Sequence, residues 1–455
     1  MDTASEPRNG STTRRRFLSG MALATTIAVV PRHVLGGPGQ KAPSDKLNLA
    51  GIGLGGQGQW DMQQVTGENI VALCDVDDQH AAGAYKRFPT AKRYKDFRKM
   101  LDEQKDIDAV IVATPDHNHA VASMAAVKAG KHVYCEKPLT HTIHEARVLA
   151  KAAAEAKVAT QMGNQGMAFD ANRLIKEWLW DGAIGPVREV HVWSDRPTHA
   201  GKRNLYWAQG IERPKDTPPV PDTLDWDLWL GPTAERPYHP AYAPFVWRGW
   251  WDFGTGGIGD MGSHNMAPVF AALKLTAPTC VESSSTPVYP DSLPLACAIH
   301  FSFPARAEMP PVALHWYDGG LMPPRPEGLE DSRTLSREDG AILIGEKGVM
   351  LIEGWGGSSV RLVPEEKMKA YKRPDKTLPR SIGHHKEWLK ACREGTPTES
   401  SFAFAGPLTE ALLLGLVSVR LGGRKLYWDS ANLKITNDAE ANKYLHYEYR
   451  KGWTL

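Results

Sequence analysis

The sequence predicts an α/β chain that opens with a doubly wound parallel sheet. Three observations carry this. Short apolar runs alternate with helical patterns over residues 46–165. A glycine cluster, Gly53-Leu54-Gly55-Gly56-Gln57-Gly58, follows the first run directly. The run at 107–114 is apolar nearly throughout, as strands buried on both faces are.

Residues 46–52 read as the first strand. The glycines after it have G-x-G-x-x-G spacing. In that pattern Gly53 permits the tight turn, Gly55 lets a pyrophosphate approach the backbone, and Gly58 allows close helix–strand packing, with Gly56 inside the turn. Gly51 to Gly56 fits the same spacing, but the later register leaves the full strand ahead of the turn. A second strand, 69–74, ends at Asp75, 22 residues after Gly53. An acid there holds the adenosine ribose hydroxyls and disfavours a 2′-phosphate. NAD is therefore the expected cofactor, with NADP possible.

A strand at 132–135 stops at Glu136-Lys137-Pro138. Thr142 and Glu145 then have the spacing of a capping box, so a helix follows at once. Lys137 thus stands on the loop leaving the carboxyl edge of the sheet, where open α/β sheets bind ligands. Pro138 restricts its backbone. A lysine beside a nicotinamide can hydrogen-bond an alcohol and stabilise the charge that forms on its oxygen. The plainer reading is a surface lysine before a helix. The segment Pro115-Asp116-His117-Asn118-His119 precedes a helix read over 120–129, with Gly130 as its cap. His117 and His119 have no third ligand nearby in sequence, so no metal site is expected.

The second half opens with a helix at 170–180 and a strand at 187–193. Residues 196–251 are rich in proline and tryptophan and lack periodicity, which predicts an ordered cover over a cleft. Aromatic faces suit sugar rings, although large aromatics are more often core. A glycine-rich block at 254–264 ends in Asp260 and His264, four residues apart and so on one face of a helix. A histidine near its ordinary pKa of ~6.5 suits a general base. The plainer reading is a helix-start aspartate and a packed histidine. Further strands are read at 276–307 and 341–353, and helices at 384–393 and 407–421. His384-His385 read as packing residues.

The chain has 455 residues and a formal charge of +2. Residues 1–36 hold five arginines and two acids, a net +3, which leaves the remainder at −1. A near-neutral body argues against nucleic acid as a partner. The five cysteines form no C-x-x-C, so neither a disulfide framework nor a zinc knuckle is suggested. Thr13-Arg14-Arg15-Arg16-Phe17-Leu18 precedes an uncharged stretch too short to span a bilayer. It resembles a twin-arginine export signal, which implies a signal over 1–36, a linker over 37–45 and a periplasmic or otherwise exported protein.

The glycine turn, Thr114-Pro115-x-x-x-His119, Ala129-Gly130-Lys131-His132-Val133 running into Glu136-Lys137-Pro138, and the block ending in Asp260 and His264 occur in this order in the Gfo/Idh/MocA oxidoreductases, which the chain resembles. The resemblance implies an amino-terminal Rossmann domain over 46–165. It also implies a carboxy-terminal α/β domain over 166–455 whose open, largely antiparallel sheet often forms the oligomer contact. It places Thr114, Pro115, His119, Glu136 and Lys137 at the cofactor and makes Lys137, Asp260 and His264 the catalytic set, although the glycine spacing before Asp260 is one residue shorter here. The function implied is NAD(P)-dependent hydride transfer from a secondary alcohol of a sugar, cyclitol or glycoside, by a homo-oligomer (dimer or tetramer) with tightly bound cofactor. Two alternatives accompany it: a redox-neutral glycosidase, whose known relatives depart from this chain at the lysine, and a non-catalytic dinucleotide-binding protein.

Overall fold

The computed structural model describes Met1 and residues 45–199 and 202–455. The arginine-rich segment at 13–18 lies outside the described residues. Residues 47–455 form one compact unit.

Its first sheet has six strands: β1 (Asn48–Ile52), β2 (Asn69–Cys74), β3 (Lys92–Tyr94), β4 (Ala109–Val112), β5 (His132–Glu136) and β6 (Thr160–Gly163). The order is β3-β2-β1-β4-β5-β6, and every pairing is parallel. β4 reads Ala-Val-Ile-Val and is wholly buried, because helices cover both faces of a parallel sheet. The expected capping box is present. Thr142 Oγ1 accepts from the Glu145 N–H at 3.2 Å, and Glu145 Oε2 accepts from the Thr142 N–H at 2.8 Å.

The second sheet has nine strands. β7 (Val187–Ser194) lies in its middle. A short hairpin of β8 (Thr198–His199) and β9 (Lys202–Leu205) stands apart from it. The other eight strands are β10 (Cys280–Ser285), β11 (Cys297–Phe303), β12 (Val312–Tyr317), β13 (Asp339–Gly345), β14 (Gly348–Glu353), β15 (Ser359–Val363), β16 (Leu426–Asp429) and β17 (Lys434–Ile435). The order is β15-β14-β13-β7-β12-β11-β10-β16-β17. All neighbours are antiparallel except β12 and β7, which run parallel.

Helix Phe402–Arg420 joins the two halves. It is long and apolar enough to cross a membrane, yet most of it is buried in the fold. At Gly415 an added Cβ would stand 3.0 Å from Ile299 and Phe301, so the helix lies directly on β11. On the other flank Glu410 pairs with Arg147 of helix Ile143–Ala156. One continuous apolar core runs from Ile52 and Val112 through to Ile299 and Leu314.

Two elements differ from the sequence reading. The helix expected from residue 120 begins at Asp116, because the polar side chains ahead of it are buried against backbone rather than looped into water. The expected helix through Asp260 is a π-type turn, Ile258–Gly262, that runs into a single α-turn, Ser263–Asn265.

Candidate active site

The glycine turn is built as its spacing requires. Gly51 lies within β1, Gly53 takes a φ of +81°, and helix Gly56–Gln64 starts directly after. A Cβ on Gly53 would meet the Ala113 carbonyl oxygen at 2.6 Å, and one on Gly55 the His80 ring at 1.8 Å. Gly58 sits behind the turn, where a Cβ would lie 2.0 Å from the Gly53 carbonyl oxygen. It serves packing, whereas Gly53, Gly55 and Gly56 line the cleft. The helix has no side-chain cap at its start, and while the Gly58 N–H donates to the Gly55 carbonyl at 3.0 Å, the Gly56 and Gln57 N–H groups ahead of it are available to a phosphate.

Asp75 ends β2 and lines the same cleft. Its Oδ2 accepts from the Leu54 N–H at 2.6 Å and its Oδ1 from the Asp77 N–H at 2.9 Å. Each oxygen keeps a lone pair for a ribose hydroxyl. An uncapped helix start, a turn that admits only glycine and a carboxylate beyond it fit a dinucleotide.

The cleft, of about 530 Å³, continues past Thr114, Pro115 and His119 to Glu136 and Lys137. His119 faces the Pro138 and Thr114 carbonyls, at 2.7 and 2.8 Å, and so joins the two loops. His117 faces the Trp229 carbonyl at 2.9 Å and Asn118 donates to the same oxygen, which fastens the cover to the nucleotide-side helix. Glu136 is held by Gln165, which donates to Oε1 at 2.6 Å. Burial, with the nearby Asp61 carboxyl, pushes the Glu136 pKa far up.

Lys137 meets Asp260 in a buried ion pair, and Arg248 Nε stands 3.4 Å from the same Asp260 oxygen. Burial would raise the Asp260 pKa, but the Lys137 and Arg248 charges outweigh it and hold the carboxyl well below its usual range. His264 lines the cleft beside this pair. Burial and the Lys137 charge lower its pKa well below 6.5, so the ring is neutral. Its Nδ1 is buried with no hydrogen-bond partner among the described residues. A neutral imidazole beside an ammonium, both lining the cleft, is an arrangement that can accept a proton from an alcohol.

Arg196, Tyr206, Phe245, Trp247, Arg248 and Trp355 complete the cleft. The described residues of the stretch at 196–251 therefore supply a cover over the cleft. Sequence reasoning missed Arg248 and Trp355. The signal for Arg248 was a cation among aromatics: its guanidinium lies 4.2 Å from the Trp247 ring centroid and 4.8 Å from that of Phe245. Trp355 is set among three glycines, and its ring lies 4.9 Å from that of His264.

Asp116 sits under the site and accepts from Thr255 Oγ1 at 2.6 Å. Burial pushes its pKa up to about 7. The folded chain thus keeps a proton that the unfolded chain releases near ~3.9, and stability falls as pH rises across that window. Asp116→Asn cannot ionise. It is expected to raise the unfolding free energy at pH ~8 by up to about 4 kcal/mol, with little gain near pH ~4. Urea unfolding at both pH values measures this, and an equal effect at the two would contradict it.

Two family models match the chain. The model of the oxidoreductase family's NAD-binding Rossmann fold covers residues 46–164, and that of the family's C-terminal α/β domain covers 190–304. The chain belongs to the Gfo/Idh/MocA oxidoreductase family. Levoglucosan dehydrogenase of Pseudarthrobacter phenanthrenivorans is 33% identical over 115 residues, 25% of this chain and 29% of that one. Inositol 2-dehydrogenase of Salmonella typhimurium is 30% identical over 150 residues, 32% of this chain and 44% of that one. The chain thus spans less than half the length of these curated relatives. Among solved structures, the WlbA dehydrogenase of Bordetella pertussis, in complex with NADH and UDP-GlcNAcA, superposes with a TM-score of 0.57 at 16% identity. That match covers 84% of this chain and 99% of the other, and shows a shared fold.

Proposed function

We propose that this member of the family takes hydride from a secondary alcohol of a sugar, cyclitol or glycoside and passes it to NAD. The observation that carries the reading is the meeting of Lys137, Asp260 and His264 in the cleft that the glycine turn also lines. Bound NAD supplies the hydride acceptor, held by the turn at Gly53–Gly56 and by Asp75. Lys137 Nζ donates to the substrate oxygen and stabilises the negative charge that grows on it. His264 accepts the hydroxyl proton. Asp260 is a positioning residue that holds the Lys137 ammonium in place. The aromatic cover offers Tyr206, Trp247 and Trp355 to the sugar ring and excludes water.

The proposal extends to export by the twin-arginine route, supported by residues 13–18, and to a cofactor that stays bound through the cycle, since free NAD is scarce outside the cytoplasm. The test is the nucleotide that acid releases from full-length, exhaustively dialysed protein, followed by reduction of that nucleotide with a panel of sugars and polyols. Near-stoichiometric NAD that these alcohols reduce is the expected result. NADP in its place would overturn the assignment of Asp75. Protein that neither holds nor reduces nucleotide with any alcohol would overturn the activity. Glycoside cleavage without added NAD would instead establish redox-neutral chemistry at this site.

A further inference from the structure

Away from the cleft, three histidines stand in one row across the nine-stranded sheet. The register places His191 of β7 beside His315 of β12, and His315 beside His300 of β11. Glu189 is two residues before His191 and so rises on the same face. Its Oε1 lies 3.0 Å from His191 Nε2 and 3.6 Å from His315 Nε2. All three ligand atoms fall within 4.8 Å of one another. Donors at about 2.1 Å around a tetrahedral cation stand roughly 3.4 Å apart, so the trio is already close to that spacing.

The far ring nitrogens are engaged. His191 Nδ1 meets Tyr317 Oη at 3.1 Å, and His315 Nδ1 meets His300 Nδ1 at 2.7 Å. A ring that donates its Nδ1 proton carries its lone pair on Nε2. With both rings in that tautomer, the two Nε2 lone pairs and the Glu189 oxygen form a set of three acceptors with no donor, whereas in the other neutral tautomer an Nε2–H donates to Glu189. Protonating both rings would supply donors, but it would set two like charges on rings whose centroids are 5.0 Å apart, against a single carboxylate. One cation satisfies all three acceptors at once.

We propose that Glu189, His191 and His315 bind one divalent cation of the zinc class, with Tyr317 and His300 orienting the two rings. Paired imidazoles select zinc, nickel, cobalt or copper over magnesium and calcium. Glu189 is half-exposed, with 46% of its side-chain surface open, so an ion can enter and a water can complete the coordination. None of the five residues lines the cleft, so the ion pins β7 to β12 and takes no part in hydride transfer. The sequence reading weighed His117 with His119, and His384 with His385, as ligands and did not single out this trio.

Full-length protein free of any histidine tag, stripped with chelator, is titrated with Zn²⁺ by calorimetry and with Co²⁺ by visible absorption. One equivalent of each is expected, with the intense Co²⁺ bands of low coordination and a melting temperature raised by zinc. Glu189→Gln and His315→Ala are expected to weaken binding more than ~100-fold. His300→Ala, which only orients a ligand, is expected to weaken it about 10–100-fold while the metal-free melting temperature holds. Absence of stoichiometric binding to the wild-type protein, or wild-type affinity in Glu189→Gln, overturns the proposal. The glutamate variant alone decides if His315→Ala does not fold.

Discussion

Lys137→Met is expected to lower kcat/KM for alcohol oxidation by about 10³-fold while NAD affinity changes less than tenfold. Loss of one donor to a developing oxyanion costs about 10²–10³-fold in comparable sites. Here the loss has a second part. Asp260 is buried and keeps only Arg248, at 3.4 Å, once the ammonium is gone. Its pKa then rises, and the fold loses stability. Removing one partner of a buried pair costs about 3–5 kcal/mol, and Arg248 should hold the cost below that range. The two parts separate in the double variant Lys137→Met/Asp260→Asn, which removes the stranded charge. It is expected to regain much of the stability and none of the turnover. Single-turnover formation of reduced nucleotide, alongside urea unfolding, reads both. Turnover within tenfold of wild type in the single variant would remove Lys137 from the chemistry.

His264→Ala is expected to lower kcat by about 10²–10⁴-fold, the range for loss of a general base. Its pH signature is distinctive. The folded pKa of His264 lies well below 6.5, from burial first and the Lys137 charge second. The ring therefore stays neutral, and able to accept a proton, as pH falls through ~6.5. Wild-type kcat/KM should be level from pH ~8 down through pH ~6.5, with any acid limb lower. Added imidazole should restore part of the turnover to His264→Ala. An acid limb centred near pH ~6.5 in the wild type would show an ordinary, solvated histidine and sink the assignment.

The nucleotide side of the site was legible because its signals are contiguous. A strand, a glycine turn and Asp75 fall within about thirty residues, and Lys137 follows its own strand immediately. Local chemistry also marked the capping box at Thr142 and Glu145. The start of helix Asp116–Lys128 was missed because its first turn is polar. Polar residues usually mean solvent, but His117 and Asn118 are buried and meet carbonyls of a segment more than a hundred residues away. Arg248 and Trp355 were missed for a related reason: each becomes a site residue only when a loop closes on Lys137 from the second half. The trio of Glu189, His191 and His315 depends on β12 lying parallel beside β7, and no alternation pattern announces one parallel pair in an otherwise antiparallel sheet.

That parallel pair has an evolutionary consequence. β7 and β12 are immediate neighbours, so residues 195–311 leave the end of β7 and finish beside it, after supplying β10 and β11 to the same sheet. The excursion carries most of the aromatic cover together with Arg248, Asp260 and His264, while Lys137 and the nucleotide turn lie outside it. Most of the second-half side of the proposed site is thus encoded by one uninterrupted stretch of gene, which also encodes two strands of the sheet. Recombination that exchanges the stretch therefore exchanges β10 and β11 as well, with the Ile299 and Phe301 side chains that lie against Gly415 of helix Phe402–Arg420. A chimaera between relatives has to match that helix to the two grafted strands as well as graft the cover.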